Sequence, residues 1–288
     1  MVHIIGLDLR QPQQGPAAFA TWLARTQAKA PRVCAVHVMN PAASHELDAD
    51  LRDQLRHGAR TAALEAMAPA ELGERLEVRV SAGTDPERAL ADEAETRAAR
   101  SIVIGRHAPT GADHVVRLGG VARRLLRTLP APVVVVPPEL TAAGMPDGPV
   151  VLATDGRREI ERALVFATDL AESLRRPLLL AHVYPEPFNP GALYVPRTYV
   201  PGMIERYTQQ QEERFERWRS DHDLGETEVR TLRGPVVPRL LDVAKAERAC
   251  VLVTASRELS TVARLFAAST GSQLAATASC PVAVVPAR

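Results

Sequence analysis

Two periods alternate along this chain. Apolar runs of roughly four to eight residues, as strands buried on both faces have, are followed by stretches whose apolar residues return at helical spacing. Residues 2–9 (VHIIGLDL) are the first run and end at Asp8. A helix is predicted over 15–30 with Phe19, Trp22 and Leu23 on its apolar side, then a strand over 33–39. The next helix is expected over 44–68, with Ser44 as N-cap and Leu47, Leu51 and Leu55 spaced four apart as its apolar stripe. Residues 76–80 (LEVRV) alternate apolar and charged, which suits a half-exposed edge strand. At Thr84-Asp85-Pro86 a further helix is expected, with Asp85 as N-cap and Pro86 in the first helical position, running to about Ala99. Strand 102–104 runs into Gly105, and a polar loop follows. Gly119-Gly120 then opens a helix bearing Val121, Leu125 and Leu126, and the proline-fenced strand 133–136 closes the series.

Residues 137–148 (PPELTAAGMPDG) have no period and read as a linker. Beyond them the order begins again. Within 149–156 (PVVLATDG) the strand ends at Asp155 as the first strand ends at Asp8, and LLLAHVY (178–184) matches AVHVM, placing His182 and Val183 where His37 and Val38 stood. Glu228-Val229-Arg230 repeats Glu77-Val78-Arg79, and Gly234 repeats Gly83, both at an offset of 151 residues. Asp8 to Pro132 spans 124 residues and Asp155 to Pro281 spans 126, so the chain holds two copies of one unit. The expected boundaries are 1–138, a linker over 139–148, and 149–288.

Each copy reads βαβαβαβαβ, which specifies a five-stranded, mainly parallel, doubly wound α/β sheet covered on both faces by right-handed crossovers. Ligands bind such sheets at the strand C-termini where the winding reverses. With the first and fourth strands as neighbours, Asp8 and Gly105 face each other across that crevice. A glycine there lets backbone N–H groups approach an anion closely, and the following helix turns its positive end to the same place. The last strand of each copy (133–136 and 282–285) is apolar and would be a sticky edge if left open. Pairing the two copies through these edges closes both within one molecule.

Length and composition fit two globular domains: 288 residues, 46% hydrophobic and only 4% aromatic, so Val, Leu, Ile and Ala must fill the cores. A net charge of +1 gives no support for nucleic-acid or anionic-membrane binding. Cys34, Cys250 and Cys280 show neither disulfide nor metal-ligand spacing. The opening MVHIIGLDLR has no basic lead and no apolar run reaches the ~18 residues of a membrane span, so a cytoplasmic protein is expected.

The chain resembles a tandem universal stress protein over nearly all of both halves. The resemblance is carried by Asp8 and Thr154-Asp155-Gly156 closing the first strands, by the His-Val pairs of the second strands, and by LGGVARRLLRTLPAPVVVVP ending copy one. It implies two Rossmann-like (HUP-type) domains, a non-enzymatic role in stress response, and a homo-oligomer, a dimer of tandem chains. It also implies an adenine nucleotide, ATP with Mg²⁺, placing Asp8 near ribose or phosphates and Val38 at the adenine. Gly105, His107, Ala108, Gly119, Gly120 and Val121 would then surround the triphosphate. The family's glycine motif is altered here: Gly105 and Gly119 stand one residue too far apart, Ala108 replaces the second glycine, and Gly120 replaces the hydroxyl residue. Arg106 is read either as partly offsetting phosphate charge or as a solvated surface charge. In copy two the three glycine positions hold Ala255, Glu258 and Ala268. A carboxylate at Glu258 repels phosphate, so the site formed by Asp155, Val183, Ser256, Ser269 and Thr270 is expected to be degenerate, with hydroxyls able at most to serve a smaller anion.

His37 and His182 are read as packed, hydrogen-bonded strand residues, and Cys280 as a small buried hydrophobe. Residues 184–218 hold seven of eleven aromatics. Tyr207, Phe215 and Trp218 are expected on the buried side of a helix, Tyr194 and Tyr199 at an interface. There is no P-loop, His-Glu-x-x-His, Gly-x-Ser-x-Gly or Cys-x-x-Cys. Leu7-Asp8-Leu9-Arg10 lacks the glycine- and serine-rich turn of an AMP-forming synthetase or pyrophosphatase-type ATP enzyme. Three readings follow: a nucleotide-dependent stress protein, a nucleotide-independent dimerising protein of the same fold, and slow ATP hydrolysis with Mg²⁺ near Asp8.

Overall fold

The computed structural model describes residues 2–9, 15–40, 48–106, 118–156, 160–184, 200–256 and 269–287. Copy one contributes β1 (Val2–Leu7), α1 (Gly15–Thr26), β2 (Arg32–Met39), α2 (Ala49–Met67), β3 (Leu76–Ala82), α3 (Pro86–Thr96), β4 (Ser101–Gly105), α4 (Gly120–Thr128) and β5 (Val133–Val136). Copy two contributes β6 (Val150–Thr154), α5 (Glu161–Leu174), β7 (Leu178–Tyr184), α6 (Val200–Asp221), β8 (Glu228–Arg233), α7 (Val236–Ala246), β9 (Val251–Ala255), α8 (Thr270–Thr277) and β10 (Val282–Val285).

All ten strands form one sheet in the order β3-β2-β1-β4-β5-β10-β9-β6-β7-β8. Pairing is parallel within each copy and antiparallel only at the seam, where Val282, Ala283 and Val284 oppose Val135, Val134 and Val133. The apolar edges expected to be a liability therefore close each other in the middle of the sheet. The free edges, β3 and β8, are blunted by the charges of the repeated Glu-Val-Arg: Arg97 grips Glu77 through two hydrogen bonds, and Arg230 pairs with Glu228 and Glu247.

Successive strand residues point to opposite faces, and the core divides accordingly. Ile5, Val103 and Val134 face one layer with α1, α5 and the buried ends of α2 and α6; Ile4, Ile102 and Val133 face the other with α3, α4, α7 and α8. In copy one the winding reverses between β1 and β4, which pair through Ile4↔Ile102, and in copy two between β6 and β9.

Two expectations about α2 are corrected, and one about α3 holds in position. The described part of α2 begins at Ala49, where the Asp48 carboxylate accepts from Leu51 N at 2.8 Å. Ser44 and Leu47 lie outside the described residues. Leu51 and Leu55 are 41% and 42% exposed, because α2 is anchored near its other end by Ala63 and Met67 and by Arg60, which donates to Val78 O. Asp85 does stand at the N-cap of α3, but its side chain accepts from Thr84 Oγ1 instead of capping.

Candidate functional site

The corner of copy one is built by register. Leu7 stands opposite His37 on one side, and Ile5 opposite Val103 on the other. Continuing each ladder brings Asp8 level with Val38 and places Leu7 level with Gly105. A parallel crossover helix starts at the C-terminal edge of its sheet, so the N-terminus of α4 belongs to this same corner. Asp8, Val38, Gly105, Gly119, Gly120 and Val121 are thus brought together, each half-buried.

The amides of α4 distinguish the corner. Gly119 is the N-cap and offers no side-chain oxygen to the helix. The first turn of a helix has N–H groups without intrahelical partners, and they carry the positive end of the helix dipole. A Cβ on Gly120 would meet nothing closer than Arg124 Nη1 at 3.5 Å, an ordinary contact, so the packing of the protein does not itself require glycine there. The missing side chain leaves the backbone open to a ligand. Gly83, which sequence reading noted only as a repeat, belongs to the same corner. Its N–H donates to Met39 O, and a Cβ there would touch Val38 Cγ1.

The two histidines hold the strand ends. The Nδ1 of His37 lies 2.9 Å from Leu7 O and that of His182 lies 2.8 Å from Thr154 O. A carbonyl only accepts, so Nδ1 carries the proton in both. Each imidazole ties the last strand carbonyl before the aspartate, Asp8 or Asp155, to the neighbouring strand. Burial lowers the pKa of His182, with the bond to Thr154 opposing.

Arg106 corrects both of its expected roles. It is only 6% exposed, and its guanidinium donates to Ala276 O at 3.1 Å, Ala278 O at 2.8 Å and Glu139 Oε1 at 3.1 Å. It caps the C-terminal end of α8 from the other copy and is neither a phosphate-facing cation nor a solvated charge. Burial pulls its pKa down, with Glu139 acting against this.

In copy two the face of the sheet that carries α6 is covered by aromatic side chains at the end of β7, and Val183 lies on the opposite face with α8. Phe215 stacks on His182 with ring centroids 4.2 Å apart and planes 12° apart, and Tyr184 meets the same imidazole edge-on. Phe215 and Trp218 are 2% and 5% exposed, Tyr207 is half-buried, and Arg214 donates to Asp155 O. Gly156, at φ +67°, lies against Phe215 and Trp218, so α6 packs directly on the end of β6. Val183 is 6% exposed, unlike half-buried Val38. The Ser269 hydroxyl, read as a donor for a small anion, instead caps α8 by accepting from Ser272 N at 3.1 Å, and it also bonds to Ser272 Oγ. Ser256 and Thr270 are half-buried, with Ser256 N bonded to Val285 O. Expectations for His107, Ala108, Tyr194, Tyr199, Glu258 and Ala268 fall outside the described residues.

No catalytic cysteine emerges. All three cysteines are buried and unbridged, and burial raises the thiol pKa to about 11 for Cys34 and about 12 for Cys250 and Cys280.

A duplicated α/β unit wound on both faces, with its reversal point at the first and fourth strands, defines a Rossmann-like protein of tandem type. The chain belongs to the universal stress protein family, whose pattern matches residues 4–137 and 148–286. Among solved structures it is similar to a universal stress protein from Archaeoglobus fulgidus DSM 4304, at 17% identity over 100% of this chain and 98% of that one, with a TM-score of 0.69. It is also similar to a functionally unknown protein from Pseudomonas aeruginosa PAO1, at 16% identity over 99% and 92%, with a TM-score of 0.67. None of the curated proteins matches it in sequence. Among the described residues, no helix is long and apolar enough to cross a membrane.

Proposed function

We propose that this universal stress protein binds an adenine nucleotide in copy one alone and that occupancy alters its self-association or its hold on a partner. The observation that carries this reading is the contrast between two equivalent helix starts. The amides of α4 stand behind a glycine with no side-chain cap, whereas the first turn of α8 is capped by the Ser269 hydroxyl. The residues of copy one fit the ligand chemically. Val38 offers a half-buried apolar contact for a base, Asp8 an acceptor for ribose hydroxyls, and the backbone around Gly119, Gly120 and Val121 donors for phosphate oxygens. Among the described residues no group of three or more His, Cys, Asp or Glu side chains is placed to hold a metal, so Mg²⁺ would arrive on the phosphates with Asp8 as its protein neighbour.

The test is to denature the purified protein and look for released adenine nucleotide by chromatography, then to melt the protein in millimolar Mg-ATP. Release of nucleotide, or a Tm rise of a few degrees, is expected if the ligand is present at about 100 times its Kd. Gly119→Val should abolish the rise, because a branched side chain blocks approach to the amides. Absence of nucleotide together with an unchanged Tm leaves the other reading, a nucleotide-independent dimerising protein of the same fold.

A further inference from the structure

The two copies treat one groove differently. Beside α1 the groove is occupied by the linker. Pro137 O packs against Gly15, and Gly148 N donates to Arg248 O. Between these ends Leu140 and Met145 are buried in the core cluster that holds Ala18, Phe19 and Trp22. The antiparallel pairing of β5 with β10 relates the copies by a local two-fold, which carries this groove onto a mate beside α5. The chain itself shows the correspondence: FATDL at 166–170 repeats FATWL at 19–23.

The mate is open. It is a cavity of ≈ 550 Å³ between Arg100 and Pro132 of copy one and Val165, Phe166, Asp169 and Pro286 of copy two. Val165 is 61% exposed where its counterpart Ala18 is 9% exposed. Asp169 keeps 44% of its side chain in solvent where Trp22 is buried. The volume lies within the ~300–1,000 Å³ that bound ligands occupy, and a seam between domains is a common place for them.

We propose that this groove receives a turned peptide of another protein, folded as the linker is by bonds from Leu140 N to Pro137 O and from Gly144 N to Thr141 O, led by proline and carrying leucine and methionine at the spacing of Leu140 and Met145. The molecule shows this chemistry filling the equivalent place, where the linker leaves β5 at Pro137 just as Pro286 follows β10. The groove opens directly from the β5–β10 seam, so a peptide laid there extends an interface already built. Its floor and walls are the Phe166 ring, Val165 and two prolines. Its polar rim is Glu161, Arg162, Asp169 and Arg100, the last 5.6 Å over the Phe166 ring and 3.4 Å from Asp169.

The experiment titrates the full chain calorimetrically with the synthetic peptide PPELTAAGMPDG and with a form carrying serine in place of its leucine and methionine, each with and without Mg-ATP. One-to-one saturable binding is expected, lost with the serine peptide and weakened about tenfold or more by Val165→Arg, an exposed position at which the fold is not at stake. Absence of saturable binding at millimolar peptide overturns the proposal. So does equal affinity for Val165→Arg, or for the serine form. A small apolar dye that fills the cavity and is not displaced by the peptide would also overturn it, by making the cavity a small-molecule site. The peptide result does not depend on nucleotide, so this proposal and the nucleotide reading fail separately.

Discussion

Histidine serves in this protein as a neutral hydrogen-bonding residue of the sheet, and that has a pH signature. His3 is 3% exposed, its Nδ1 lies 2.8 Å from Ser101 Oγ, and its pKa is lowered to about 4 by burial first, then by Arg100 and the N-terminus. The folded pKa is below the unfolded one. Between pH 6.5 and about 4 the unfolded chain takes up a proton that the folded ring refuses, so stability is complete above 6.5 and falls as pH drops through this window. The loss at the acid end is about 3 kcal/mol for this residue. His182, also shifted down, adds in the same direction. Urea unfolding of wild type and His3→Asn from pH 7 to 4 measures it. Asn keeps a polar atom at the Nδ1 position for Ser101 and cannot titrate, so its stability should change less with pH. Parallel curves would mean that His3 accepts its proton in the folded state.

At the scale of elements, what could be read in the chain was what local chemistry dictates. Apolar runs, the Asp8 and Asp155 strand ends, and prolines before the closing strands gave the repeat and its order, whereas the register that sets Val38 beside Asp8 is seen only in the pairing of β1 with β2. The N-cap of α2 also had a signal, since Asp48 stands nearer the helical run than Ser44, and so had Ser269, a serine directly before a helix. What the chain could not reveal were contacts made across it. The carbonyl partners of Arg106 lie 170 and 172 residues away, and the stacking of Phe215 on His182 depends on how α6 crosses the sheet. Arg106 therefore makes a prediction of its own. Arg106→Met should cost about 2–4 kcal/mol in denaturant unfolding by leaving two carbonyls of α8 without donors. Arg106→Lys should recover less than half, because a single nitrogen does not reproduce the planar fork that serves both carbonyls from Nη1 and Glu139 from Nη2. Loss of nucleotide binding in Arg106→Met without loss of stability would return this residue to the phosphate site.

Across the whole molecule the duplication has been built in as a single folding unit. One sheet runs through both copies, one core cluster holds Phe19 and Met67 together with Phe166 and Phe215, and Ala28 N donates to Ser173 O between the halves. Val133, Val134, Val135 and Val136 are each no more than 2% exposed, and one edge of their strand is covered by the other copy's β10. The chain should therefore unfold in one calorimetric transition whose measured enthalpy equals the van't Hoff enthalpy, despite its two repeats. Residues 1–148 expressed alone should pair with themselves through the bared β5, an edge of four valines with no charge to deter it, and run as a dimer or larger species in sedimentation. Two resolved transitions in the full chain, or a monomeric half melting at the temperature of the whole, would show instead that each copy supplies its own stability. The seam would then be mere adjacency, and Arg106 could not be holding the copies together.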